Sequence, residues 1–104
     1  RDPWAGFKVE DVQSLQPAIL AELGVRTDTG CIVRNILRTS PAFEAGLRPG
    51  DVIKKINTQQ VDTASDIDFV LWDLFIGDAC ALSVNRQGRD LTVSFVIQEV
   101  STAR

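Results

Sequence analysis

The stretch that most constrains this chain is residues 40–56, SPAFEAGLRPGDVIKKI. Several turn devices follow one another within it. The Ser40 hydroxyl can cap a helix start, and Pro41 suits the first helical position, where no backbone donor is needed. Gly46 can take the left-handed conformation that closes a short helix. Pro49-Gly50 fits the middle of a type II turn, whose second central residue needs a positive φ. Asp51 leads into Val52, Ile53 and Ile56, a strand with the Lys54-Lys55 pair on its exposed side. The segment fixes a fold and binds nothing by itself.

The flanks are periodic. Phe7 and Val9 alternate with Lys8 and Glu10, the period of a half-buried strand, and Trp4-Ala5-Gly6 forms a loop running into it. Residues 15–23 predict a short helix with Pro17 early, Ile19, Leu20 and Leu23 at helical spacing, and Gly24 as its stop. Its N-cap is weak, because Gln16 stands where Ser or Thr is better. Residues 26–30 are a polar turn, and residues 30–37 a strand with Cys31, Val33 and Ile36 inward; that spacing is not strictly two, which points to a bulge near Arg34-Asn35. The longest helix is expected over residues 66–76, with Ser65 and Asp68 as an S-x-x-D cap and Ile67, Val70, Leu71 and Leu74 as its core stripe. Gly77 ends it. Cys80, Leu82 and Val84 alternate as a strand, Gln87-Gly88 makes a hairpin turn, and Leu91, Val93, Phe95 and Ile97 alternate as the last strand. Residues 101–104 read as a frayed tail. Five strands, two helices and a one-turn helix make an α+β fold, a small, partly open barrel closed by helices.

Bulk properties narrow the function. A length of 104 residues suits one domain, able to bury roughly 60–65% of its unfolded surface without staples. The net charge of −3, with no Lys/Arg cluster, argues against nucleic acid as a partner. The most apolar window, residues 69–76, is interrupted by Asp73 and is too short to insert in a membrane. The abrupt start at Arg1-Asp2-Pro3, without a signal peptide, reads as a single domain, residues 1–104, excised from a longer protein. The two cysteines, Cys31 and Cys80, lack metal-site spacing and fall at core positions of strand-like runs, so inert buried thiols are favoured over a disulfide. With no histidine, neither a Ser-His-Asp nor a Cys-His unit can be assembled, and no cofactor or metal motif is present.

The segment "SPAFEAGLRPGDVIKKI" resembles the most recognisable part of PDZ domains, which are peptide-binding modules. Over nearly the whole chain the order of "WAGF", "LQPAILAELGV", "GCIVRNI", "SPAFEAGLRPGDVIKKIN" and "LSVNRQGR" is similar to that of PDZ domains attached to trypsin-like serine proteases of the HtrA type. There the ligand-binding loop and strand come first in the chain, a permuted order relative to animal signalling PDZ domains.

The resemblance implies capture of C-terminal peptides with an apolar last residue by strand addition. Backbone N–H groups of Ala5, Gly6 and Phe7 would receive the carboxylate, Gly6 letting the backbone turn without a Cβ in the way. Residues 7–10, with Lys8 and Val9 at their centre, would pair with the peptide. Trp4 lies beside the loop, and Ala5 and Phe7 would floor the terminal pocket. Read from the residues alone, the favoured reading makes Gly6 a bulge and Phe7 a plain core residue, and the resemblance reverses that order. Asp66, Val70 and Asp73 would line the helix wall, though Val70 is also core-compatible and Asp66 also suits a first-turn acid at the positive helix end. Arg1 and Lys8 could add positive potential, or be solvated charges.

Phe69, Trp72 and Ile76 recur on the helix face opposite Ile67, Leu71 and Leu74. They form either a docking patch or a surface covered by the sheet or N-terminal segment. The resemblance further implies an attached protease domain, a role in regulating or positioning it, and a bacterial periplasmic or cell-envelope setting. A PDZ domain of another parent, such as an intramembrane metalloprotease, a C-terminal processing protease or a secretion component, would act instead as a gate or assembly contact. A standalone enzyme lacks the residues it would need.

Overall fold

The computed structural model describes residues 7–72 and 77–97, the side chains of Asp68, Leu71 and Trp72 apart. The described elements are β1 Phe7–Asp11, a single 3-10 turn Val12–Ser14, α1 Pro17–Leu23, β2 Cys31–Ile36, α2 Pro41–Glu44, β3 Val52–Ile56, β4 Gln59–Gln60, α3 Ala64–Trp72, β5 Ala79–Arg86 and β6 Arg89–Val96. The strands form one antiparallel sheet in the order β1-β2-β3-β5-β6, with β4 paired to β3. The fold is α+β, as expected, with a two-residue strand, β4, beyond the five expected. That strand is too short to show a hydrophobic period.

The turn devices of residues 40–51 all operate. The Ser40 hydroxyl accepts from the Phe43 N–H at 3.2 Å and donates to the Leu37 carbonyl at 2.8 Å. Gly46 has φ 118° just beyond the end of α2. Gly50 has φ 95°, and the Asp51 N–H closes the turn on the Arg48 carbonyl at 3.1 Å. At the hairpin joining β5 to β6, Gln87 and Gly88 both have positive φ, the conformation a two-residue connection between twisted strands prefers. The expected bulge is present: Lys8 pairs with Asn35 and Val9 with Val33, which leaves Arg34 as the extra residue.

The main core gathers Phe7, Cys31, Val33, Leu47, Ile53, Ile56, Val61, Ile67, Cys80, Leu82, Val84, Val93 and Ile97 between the sheet and α3. A smaller cluster of Val12, Ile32 and Val52 lies on the other face of the sheet, under Leu15, Leu20, Leu23 and Val25 of α1 and its flanks. β2 is thus buried on both faces along Cys31-Ile32-Val33, which explains why its sequence does not alternate.

Two expectations are corrected. Lys54 does not share the exposed side of β3 with Lys55. The pairing of β3 with β5 shifts between Ile53 and Lys55. Lys54 is half-buried, and its Nζ donates to Thr27 Oγ1 at 2.6 Å and to Thr29 O and Oγ1 at 3.0 Å, pinning the polar turn before β2. The cap of α3 lies two residues earlier than Ser65/Asp68. Thr63 Oγ1 accepts from the Asp66 N–H at 3.3 Å and Asp66 Oδ2 accepts from the Thr63 N–H at 3.2 Å, a reciprocal capping box.

Candidate functional site

β1 stands at one end of the sheet, and among the described residues no strand pairs with its outer side. In an antiparallel ladder alternate residues turn their N–H and C=O groups away from the partner, so an edge strand carries main-chain groups able to pair with a further strand. The inner face of β1 is apolar: Phe7 is 9% exposed and joins the main core, and Val9 packs half-buried against it. The outer face carries exposed Lys8 and Glu10. The Glu10 carboxylate accepts from Arg34 Nη1 at 2.9 Å, so the bulged residue of β2 spends its charge on its neighbour.

α3 lies against this strand. Asp11 Oδ1, at the end of β1, accepts from the Ala64 N–H at 2.6 Å and so joins the end of the strand to the start of the helix. Asp66 Oδ2 accepts from the N–H groups of both Asp62 and Thr63, at 2.9 and 3.2 Å. These bonds place Asp66 in the first-turn role that its position also suggested. Ile67 is fully buried, and Val70 is half-buried against the main core. Phe69, on the far side, is 78% exposed.

The structure therefore places Phe7 in the main core and packs half-buried Val9 of β1 and Val70 of α3 against that core, with Lys8 on the opposite face of the strand. Trp4, Ala5, Gly6, Asp73 and Ile76 lie outside the described residues, as does the Trp72 side chain. Among the described residues no group of His, Cys, Asp and Glu is arranged to hold a metal ion. Nor is any helix long and apolar enough to cross a membrane. Cys31 and Cys80 are both buried and are not joined in a disulfide, and burial pushes the Cys80 thiol up to about 11.

Sequence reasoning missed the polar lock behind the central turn. Asp51, 1% exposed, accepts from Arg86 Nε at 2.7 Å and Nη2 at 2.8 Å, and from the Arg48 N–H at 2.9 Å. Arg86 Nη2 also donates to the Gly46 carbonyl at 2.8 Å. Arg48 in turn lies over the Phe43 ring, 3.8 Å from its centroid. A signal was present: a carboxylate next to Val52 and Ile53 needs a partner when it is buried.

The model of the PDZ domain family matches residues 5–97. The chain is 31% identical over 97 residues to the serine protease Do-like HtrB of Bacillus subtilis (strain 168), covering 88% of this chain and 21% of that protein. It is 24% identical over 95 residues to a probable periplasmic serine endoprotease DegP-like of Marinomonas sp. (strain MWYL1), covering 91% of this chain and 20% of that protein. The chain thus spans about a fifth of the length of these relatives. Among solved structures, the HtrA-type protease AlgW with decapeptide superposes with a TM-score of 0.80 at 25% identity, covering 96% of this chain and 30% of that one. A match over nearly the whole chain, the sheet order and the residue 40–51 turn system agree: this chain belongs to the PDZ domain family, and its relatives are proteases of the HtrA and DegP type.

Proposed function

We propose that the chain is a non-catalytic peptide-binding module that captures free C-termini of other proteins by adding them as a strand to β1. The observation that carries this reading is the outer edge of β1 beside α3, where half-buried Val9 and Val70 pack against the core that holds Phe7 and would floor the groove. The likeness to AlgW, whose structure holds a decapeptide, supports it. Trp4, Ala5 and Gly6 precede the strand in sequence, and the N–H groups of Ala5, Gly6 and Phe7 would take the carboxylate, fixing an antiparallel peptide with its last residue beside Phe7. An apolar last side chain would suit that floor. The module would serve an attached serine endopeptidase of the bacterial envelope, recognising exposed C-termini of misfolded proteins and regulating or positioning the protease domain. Both relatives' names support an attached serine protease, and the Marinomonas one, a probable periplasmic endoprotease, supports the envelope setting.

Calorimetric titration of one peptide in two forms, free acid and C-terminal amide, tests the reading. Loss of a charge-assisted hydrogen bond should cost the amide at least about 1.5 kcal/mol. Equal affinity for the two forms would reject the groove.

A further inference from the structure

The groove has two faces, and the outer one is charged. Lys8 and Glu10 project from the exposed face of β1, away from Phe7 and Val9. Glu10 is paired with Arg34 at 2.9 Å, whereas among the described residues Lys8 has no carboxylate partner. Across from Lys8 on β2 stands Asn35, exposed and uncharged. On the β1 and β2 part of this face the described charges are Lys8 and Arg34, both positive, and Glu10, negative, and Glu10 is engaged by Arg34.

An added strand repeats the alternation of its neighbour. Residues directly opposite one another across an antiparallel pair share a face, with Cβ atoms about 4.5–5.5 Å apart. If the last peptide residue lies opposite Phe7 and faces the apolar floor, the residue before it lies opposite Lys8 and faces outward. We infer that Lys8 selects the penultimate residue of the bound peptide and favours an acidic side chain there. This inference rests on the proposed groove. It adds to that groove a preference set by the strand's outer face, separate from the pocket for the last residue. The Glu10–Arg34 pair assists by occupying Arg34, so the residue two places further upstream meets a balanced pair.

The test uses the 104-residue chain and three free-acid peptides that differ only at the penultimate position, as Glu, Gln or Lys. Affinity should fall in that order, by roughly 1.5- to 5-fold per step, the size of an exposed cross-strand charge pair. The spread should shrink in high salt, because exposed charges are screened. In Lys8→Glu the order should reverse. Binding of all three peptides with equal affinity, or an order unchanged in Lys8→Glu, overturns the inference and leaves the groove standing. Failure of all three to bind overturns the groove and this inference together.

Discussion

The Asp11 carboxylate accepts a 2.6 Å hydrogen bond from the backbone N–H of Ala64, a residue 53 positions away. One oxygen thereby satisfies an orphan donor at the start of α3 and fixes that helix end to the end of β1. Asp66 and Thr63 satisfy the donors on either side, so the helix start is held by both local and distant partners.

Asp11→Ala should therefore cost about 0.5–2 kcal/mol in urea unfolding, the range for loss of a helix cap. Asp11→Asn keeps a side-chain oxygen and should lose less. Because the bond joins the two walls of the proposed groove, Asp11→Ala should also weaken peptide binding in titration calorimetry. Unchanged affinity in a destabilised variant would show that the groove does not depend on this tie.

The Arg86–Asp51 pair gives a second prediction. Arg86→Ala leaves a buried carboxylate with the Arg48 N–H as its remaining described partner. Removing one member of a fully buried pair costs about 3–5 kcal/mol; here the Arg86 side chain is 38% exposed, so about 2–3 kcal/mol is expected. Arg86→Lys should recover only part, since an ammonium lacks the planar fork that engages both carboxylate oxygens. The hydrogen bond to Asp51 raises the Arg86 pKa against an opposing burial effect, with Coulombic attraction adding to it. A raised folded pKa supplies stability that is complete below the unfolded value and lost only above it. The guanidinium should thus contribute no pH dependence near neutrality. Denaturant midpoints of the three proteins across neutral pH check both points.

Cys80 supplies the alkaline limit. Its thiol ionises at an ordinary 9.0 when unfolded and at about 11 when buried in the core. The unfolded chain thus loses this proton first as pH rises. The associated stability is intact below about pH 9 and falls between 9 and 11, by at most about 3 kcal/mol. The difference between wild type and Cys80→Ala isolates this thiol from every other group in the chain. The wild-type curve should fall more steeply. Native Cys80 should also resist alkylation at pH 8, because the thiolate is the nucleophile.

The devices legible in the sequence were those whose partners are close along the chain. Ser40 caps Phe43, Gly46 and Gly50 close their turns, and Phe7-Lys8-Val9-Glu10 alternates as written. Lys54, Asp51 and Asp11 were not legible, because Thr27, Arg86 and Ala64 reach them only through the folded sheet. The α3 cap shows the same limit in one place. Residues 63–66 read T-x-x-D and residues 65–68 read S-x-x-D. Both patterns satisfy the local rule, and the bond from Asp11 accompanies the earlier one. On the second helix face, Phe69 is exposed, while the Trp72 side chain and Ile76 lie outside the described residues, so a docking surface there is a proposal.

An edge that welcomes a peptide would also welcome a second copy of itself, and a sheet left open in this way is prone to edge-to-edge aggregation. Over the described residues Phe7–Asp11, β1 faces the Arg34 bulge in its neighbour and alternates charge with apolar contact through Lys8 and Glu10. A short, flexible chain end can follow the bend and meet the charges one residue at a time, whereas a rigid sheet edge cannot. On the proposed reading, the bulge and the two charges would thus act as a filter against self-association and leave the edge to chain ends.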